Sequence, residues 1–243
     1  MILLTMSGEG YSVLNDILLI IPAYNEEANI ERVVETLIRD YPEYDYVVIN
    51  DGSKDGTARI CKERGFRLVD YPVNLGLAGA FQGGMKYAHE KGYKYAIQYD
   101  GDGQHDPRYI EEMLKAAKDE ECDIVIGSRF VTEKKPWTAR MLGSRLIGAC
   151  IALTTGRRLK DPTSGMRLFN SRMISILANQ VNYGPEPDTI AFLIRCGAKV
   201  KECQVSMNER TAGESYLKFG TSIKYMVRMC MSILFVQWFR KKV

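Results

Sequence analysis

Tyr46-Val47-Val48-Ile49-Asn50-Asp51-Gly52-Ser53 decides the fold: an apolar, β-branched run stops at a polar turn, and a helical stretch resumes at Asp55. So short a run, bounded by turn residues, reads as a buried strand. The phrase recurs as Tyr95-Ala96-Ile97-Gln98-Tyr99 running directly into Asp100-Gly101-Asp102, and occurs upstream as Ile17-Leu18-Leu19-Ile20-Ile21 before Pro22. Helical spacing of Ile30, Val33, Val34, Leu37 and Ile38 fills the first gap, with Asn25 as the expected N-cap. Strand, loop and helix alternating in this way predict an α/β fold with a parallel, doubly wound sheet. Ligands bind such sheets beyond the carboxyl ends of the strands, where Asp51 and the Asp100–Asp102 loop both fall.

Further out, Arg67-Leu68-Val69 is a third β-like stretch, followed by a glycine-bearing segment at 74–84 and a helix to His89. A helix through Ile110, Met113, Leu114 and Ala117 leads to the strand Asp123-Ile124-Val125-Ile126 and then Gly127-Ser128-Arg129. The second half reads as a small-residue helix at 142–155, a polar turn at Asp161-Pro162-Thr163-Ser164-Gly165, a helix at 189–196 and a strand at 199–205. No linker, repeat or low-complexity tract divides the chain. The expectation is one domain over residues 1–215 and a C-terminal amphipathic helix over 216–243.

The chain has 243 residues, and 33 Lys plus Arg against 30 Asp plus Glu give a net charge of +3, too balanced for a general nucleic-acid binder. The scattered cysteines at 61, 122, 150, 196, 203 and 230 have no metal-ligand spacing and read as reduced thiols of a cytoplasmic protein. Residues 1–16 lack the basic stretch and apolar core of a secretory signal.

Two carboxylates one residue apart at the end of a buried strand repel each other unless a cation lies between them. Mg²⁺ or Mn²⁺ commonly sits between such carboxylates and the phosphates of a substrate. Asp100 and Asp102 are therefore candidate metal ligands, and a solvated turn is the alternative. Asp51 ends its strand in the same register and faces the same crevice, or else serves only an Asx-turn.

Pro22-Ala23-Tyr24-Asn25-Glu26-Glu27, the run from Asn50 to Thr57, Asp100-Gly101-Asp102 with Gln104, His105 and Pro107, and Gly127-Ser128-Arg129 occur in this order. Together they resemble the inverting family 2 glycosyltransferases. Asp161-Pro162-Thr163-Ser164-Gly165-Met166-Arg167, and Arg210 ahead of Gly213-Glu214-Ser215, are similar to the dolichyl-phosphate mannose synthase branch and its bacterial polyprenyl-phosphate relatives. The likeness covers about residues 17–216. It implies a single GT-A domain, Rossmann-like with a mostly parallel sheet, in which Pro22, Tyr24, Glu26, Ile49, Asp51, Asn74, Gly76, Asp100 and Gly101 bind a nucleotide-sugar. It further implies Mg²⁺ or Mn²⁺ on Asp100 and Asp102, a catalytic set of Asp102, Arg129, Arg145 and Arg210, and an acceptor site at Asp161, Ser164 and Arg167. Two positions depart from the pattern: Asn50 replaces an acid, and Tyr216 stands where the branch has a lysine.

Arginine's planar fork matches phosphate oxygens, so these arginines suit an anionic acceptor such as polyprenyl phosphate. Such an acceptor oxygen needs no general base, whereas a sugar hydroxyl, the alternative acceptor, would need a carboxylate such as Glu186, Asp188 or Asp161. His105 is a candidate for metal or phosphate contact. From Ser215 onward there is no acid and there are six cations, around an apolar stretch at 229–239. Spanning a bilayer takes about 20 such residues, so this tail fits an interfacial helix with Trp238 at headgroup level, on a membrane surface or a small membrane-protein partner. Docking on the domain or on a second subunit of a homo-oligomer is the other reading. The expected location is cytoplasmic, peripheral to the inner face of the membrane.

Overall fold

A computed structural model describes residues 15–180, 184–207 and 219–240. Strands β1 (Ile17–Ala23), β2 (Asp45–Asn50), β3 (Leu68–Asp70), β4 (Tyr95–Gln98), β5 (Ile124–Ser128), β6 (Arg167–Asn170) and β7 (Val200–Gln204) form one sheet in the order β3-β2-β1-β4-β6-β5-β7. All pairings are parallel except those of β6, which runs antiparallel to β4 and β5. β1 and β2 are apolar along most of their length because helices cover both faces of the sheet, so nothing calls for in-out alternation.

The helices are α1 (Ile30–Asp40), α2 (Thr57–Glu63), α3 (Gly76–Lys91), α4 (Ile110–Asp119), α5 (Ala139–Thr155), α6 (Ser171–Asn179), α7 (Pro187–Arg195) and α8 (Phe219–Leu234). One core layer joins Val34, Leu37, Cys61 and Met113 of α1, α2 and α4 to Leu19, Val48 and Leu168 of the sheet. The opposite layer joins Phe81, Met85, Leu177 and Phe192 of α3, α6 and α7 to Ile20, Ile49 and Phe169. A third cluster lies off the sheet, where Ile147 and Ile151 of α5 and Ala191 of α7 meet Met229 and Ile233 of α8. The thiols of Cys61 and Cys203 are pushed up to about 11 by burial, which leaves them unreactive, and none of the six cysteines is bridged.

Three local expectations are corrected. Asn25 does not cap α1: it sits at φ 57°, its side chain accepts from the Lys54 amide, and the helix begins at Ile30. The glycine-bearing segment is mostly helix, since α3 starts at Gly76; Gly84 lies flush against Ile20 and Gly83 against Tyr71, where a Cβ would collide. Strand β6 and helix α6 follow the 161–165 turn where no regular element was expected, because β6 is only four residues long and begins with an arginine.

Asp123, at the foot of β5, ties three distant segments together. Its carboxylate accepts from Arg172 Nε and Nη2 at 3.0 and 2.8 Å, from the Lys199 amide at 2.8 Å and from Asn170 Nδ2 at 3.0 Å. Burial alone would raise this carboxyl, but the bonds from Arg172, Lys199 and Asn170 outweigh it and hold it below the usual range. A depressed carboxyl contributes stability that is present above its unfolded pKa, roughly 3.9, and is lost as pH falls through the folded value. Asp123→Ala is expected to cost about 3 kcal/mol at pH 7 and to flatten the acid limb of stability below about pH 4. Thermal melts at both ends of that range check it; an equal loss at pH 7 and pH 3 would contradict the assignment.

Candidate active site

The carboxyl ends of β1, β2, β4 and β5 open on one edge of the sheet. In the β1–β2 ladder Pro22 lies beside Ile49 and Ala23 beside Asn50. The loop after β1 is stitched to the loop after β2: Asn25 N donates to Ser53 Oγ at 2.9 Å, Glu26 N to Thr57 Oγ1 at 2.9 Å and Gly56 N to Glu27 Oε2 at 2.9 Å. Tyr24 and Glu26 are half-buried at this seam, and the Glu26 carboxylate accepts from Asn29 Nδ2 at 2.8 Å.

Asp51 is buried and accepts the Leu75 amide at 2.7 Å. Burial raises its carboxyl, while the Leu75 and Gly76 amides pull it back. Asn74 Oδ1 accepts the Gly76 amide at 3.1 Å, so Asp51, Asn74 and Gly76 belong to one loop system. Gly52 makes that approach possible, because at φ 65° a Cβ would sit 2.5 Å from the Val73 carbonyl carbon. Asn50 is spent on structure: its Nδ2 donates to Asp70 Oδ1 at 2.7 Å, which registers β2 against β3.

On β4, Gln98 Nε2 reaches toward Asp100 Oδ1 at 3.4 Å, and Asp102 accepts the Gln104 amide at 3.0 Å. Gly101 lies against the Pro22 carbonyl, its Cβ position 3.3 Å away, so the acidic loop abuts the end of β1. The buried His105 braces this loop. Its Nδ1 accepts the Asp100 amide at 3.0 Å, which leaves Nε2 to carry the ring proton, 3.4 Å from Asp100 Oδ2. Its backbone carbonyl accepts the Tyr99 hydroxyl at 2.8 Å. The role legible in the geometry is thus to hold Asp100.

The turn at 161–165 connects the acidic loop to β5. A Cβ on Gly165 would stand 2.7 Å from Asp100 Oδ2, and the Ser164 hydroxyl donates to the Gly127 carbonyl. Asp161 is wholly buried and accepts from Arg129 Nε at 2.7 Å and Nη2 at 2.9 Å, a bidentate fork. Arg167 is also fully buried. Nη2 donates to the Pro162 carbonyl at 2.9 Å, while Nε and Nη1 have no partner among the described residues. Burial lowers its pKa, against attraction from Tyr225, Asp161, Asp100 and Glu186 around it.

Arg145 is anchored on the segment that leads into α5. Its guanidinium donates to the carbonyls of Lys135 and Pro136 and stacks 4.2 Å above Trp137. It borders a groove of about 900 Å³ with Lys135, Arg158 and Lys160 on its sides and Gly148, Ala152 and Leu153 of α5 among its apolar lining. Arg210 lies outside the described residues, as do Gly213, Glu214, Ser215 and Tyr216.

The carboxylates considered as bases for a hydroxyl acceptor are all engaged. Asp161 holds Arg129, Asp188 accepts from Ser232 Oγ at 2.6 Å and Arg240 at 3.0 Å, and Glu186 pairs with Arg228 at 2.6 Å. Residues that sequence reading passed over are Gln98, a buried amide inside an apolar strand, and Glu202, which accepts the Lys160 and Asp161 amides at 2.7 Å. The available signal was a polar residue in a strand otherwise read as core.

Known proteins are similar to this chain in sequence and in fold. The family model described as Glycosyl transferase family 2 matches residues 18–177. An undecaprenyl-phosphate mannosyltransferase of Micrococcus luteus is 30% identical, over 91% of this chain and 96% of its own. A UDP-N-acetylglucosamine–dolichyl-phosphate N-acetylglucosaminyltransferase of Methanococcus voltae is 31% identical, over 68% of this chain and 73% of its own. Among solved structures, glucosyl-3-phosphoglycerate synthase of Mycobacterium tuberculosis, in complex with Mn²⁺, uridine diphosphate and phosphoglyceric acid, superposes with a TM-score of 0.64 over 90% of this chain and 78% of that one. At 16% identity that likeness speaks to the fold, which is the single α/β, GT-A-like domain expected.

Proposed function

The chain belongs to glycosyltransferase family 2, and from that premise we propose that it moves a hexose from a nucleotide-sugar to polyprenyl phosphate, inverting the anomeric carbon. The observation that carries the choice of acceptor is the charge inventory around the 161–165 turn. Asp161, Asp188 and Glu186, the carboxylates considered as bases for a hydroxyl acceptor, are all tied up, while the buried Arg167 fork keeps two donors without a partner among the described residues. An anionic acceptor uses cations and needs no base.

On this reading Pro22, Tyr24, Glu26, Ile49, Asp51, Asn74, Gly76 and Gly101 hold the nucleotide. Asp100 and Asp102 fit a hard divalent cation: they are oxygen donors on one loop, and the glycine at 165 leaves the room beside Asp100 Oδ2 that a Cβ would fill. Mg²⁺ or Mn²⁺ held there supplies charge neutralisation for the leaving diphosphate. Arg129, oriented by Asp161, and Arg167, Arg145 and Arg210 draw the acceptor phosphate in, with Ser164 fixing the turn that carries them. A phosphate oxygen then forms the bond to the anomeric carbon as the sugar–diphosphate bond breaks and the nucleoside diphosphate departs. Residues 1–215 act as the transferase domain and 216–243 as its membrane-directed segment, at the cytoplasmic face of the membrane.

The test is a panel of radiolabelled nucleotide-sugars assayed with polyprenyl phosphate and metal. A lipid-phosphate-linked sugar is expected from one donor, and its absence from all of them overturns the proposal. Relatives that carry mannose and N-acetylglucosamine show why the panel must be broad. Gly165→Ala, which crowds Asp100, is expected to weaken Mn²⁺ binding about tenfold without lowering the melting temperature. Mn²⁺ titration by paramagnetic resonance reads this directly, and unchanged affinity would remove Gly165 from the site.

A further inference from the structure

The ladder register sets a row of four residues across the sheet: Ile20 of β1 lies beside Gln98 of β4, Gln98 opposite Arg167 of β6, and Arg167 opposite Ile126 of β5. Residues paired in this way present their side chains on one face. Ile20 and Ile126 belong there to the apolar layer of Phe81 and Met85. Gln98 and Arg167, 2% and 1% exposed, are thus two polar side chains set next to each other in that layer. Their free atoms are of opposite kind: Gln98 Oε1 lacks a donor, and Arg167 Nε and Nη1 lack an acceptor, among the described residues. Burying polar groups with unmet hydrogen bonds costs stability, so packing alone does not account for this pair.

Asp100 stands two residues beyond Gln98, on the diagonal from Arg167, a separation of roughly 7–8 Å that a long side chain spans. The Cβ position of Gly165, 2.7 Å from Asp100 Oδ2, shows that the alignment continues past the strand ends. Asp100 attracts Arg167 across this gap, as do Tyr225 and Asp161. Asp161 is already held by Arg129 in a bidentate fork. Asp100, by contrast, pairs with no arginine among the described residues: its oxygens have Gln98 Nε2 and His105 Nε2, each at 3.4 Å. A pair between Arg167 and Asp100 would satisfy the open guanidinium donors and occupy the carboxylate at the same time. From this arrangement we infer that Gln98 is a positioning residue that keeps Arg167 and Asp100 apart, so that each stays open to its own ligand. The inference rests on the reading of Asp100 as a metal ligand. Glutamine suits the position because its amide donates to the carboxylate while carrying no charge. Glutamate there would itself pair with Arg167, and an apolar residue would offer Asp100 no donor.

The experiment combines Mn²⁺ titration of the full chain by paramagnetic resonance with crystal structures grown without metal. Gln98→Leu is expected to bind Mn²⁺ about tenfold more weakly or worse, and its metal-free crystal structure to show the Arg167 guanidinium on the Asp100 carboxylate. Its melting temperature is expected at or above that of wild type, because an ion pair then replaces unmet hydrogen bonds. Arg167→Met removes the competitor, so Gln98→Leu/Arg167→Met is expected to regain most of the lost Mn²⁺ affinity although it has one polar group fewer. A glutamine that served folding alone would lower melting temperature and metal affinity together, and the second substitution would restore neither. If Gln98→Leu does not fold, Gln98→Met, closer in length, takes its place in every measurement. Wild-type Mn²⁺ affinity in the single variant overturns the inference, as does a double variant that binds no better than the single one. Should wild type ignore Mn²⁺, the metal reading falls, and the metal-free structures still decide the role of Gln98: an Arg167 guanidinium that stays clear of Asp100 in Gln98→Leu overturns it, and one that closes on Asp100 upholds it.

Discussion

Asp102→Asn is expected to lower kcat by about a thousandfold while the protein melts within a few degrees of wild type. The fold should survive because the side-chain oxygen of asparagine can still accept the Gln104 amide, which Asp102 does at 3.0 Å. What disappears is one of two negative charges at the end of β4. A divalent cation between carboxylates and phosphates contributes several kcal/mol of charge stabilisation as the diphosphate leaves, and several kcal/mol is three orders of magnitude in rate. Steady-state transfer with saturating donor, across a Mn²⁺ and Mg²⁺ titration, measures the loss. A variant that keeps more than about a tenth of wild-type kcat at saturating metal would mean that Asp102 does not serve the metal.

Arg167→Met is expected to make the ligand-free protein more stable and much less active. Arg167 is fully buried, and Nε and Nη1 find no partner among the described residues. A buried cation with unmet hydrogen bonds is costly, and replacing such a group by an apolar one of similar volume is neutral or stabilising by roughly 1–4 kcal/mol. For a domain of this size that range corresponds to a melting temperature up by roughly 2–4 °C per kcal/mol. On the proposed role in holding the acceptor phosphate, loss of these donors should lower kcat/KM about a hundredfold or more. Arg167→Lys restores the charge but not the fork, so it should recover only part of the activity. Differential scanning fluorimetry beside initial rates separates a functional residue from a structural one. A fall in melting temperature together with activity would place Arg167 among the structural residues.

The two substitutions probe opposite sides of one turn. Gly165 stands beside Asp100, Pro162 accepts from Arg167, and Asp161 holds Arg129. A turn of five residues thus joins the acidic loop to the cationic centre, which accounts for its lack of slack. Ser164 bonded to the Gly127 carbonyl and Glu202 bonded to the amides of Lys160 and Asp161 fix it from both sides. The same turn feeds β6, the strand that enters the sheet against its direction and carries Arg167 at its first position.

Asp100-Gly101-Asp102 and Asp51 were legible from the chain because strand ends are marked locally: a short apolar run, then turn residues, then helical spacing. That periodicity depends on neighbours within a few residues, so β1, β2, β4, β5 and most helices could be read directly, as could the acids at the strand ends. Only the tertiary structure decided what those acids and arginines do for one another. Asp161 meets Arg129 across 32 residues, Asp123 meets Lys199 across 76, and Asp188 meets Arg240 across 52, pairings that leave no trace in local spacing. His105, a candidate for metal or phosphate contact, has a ring nitrogen bonded to the Asp100 amide and so braces Asp100, a tie that local spacing does not show. The burial of Arg167 and the meeting of α5 with α8 are of the same kind: burial and charge pairing are set by segments remote in the chain, and folding alone brings them together.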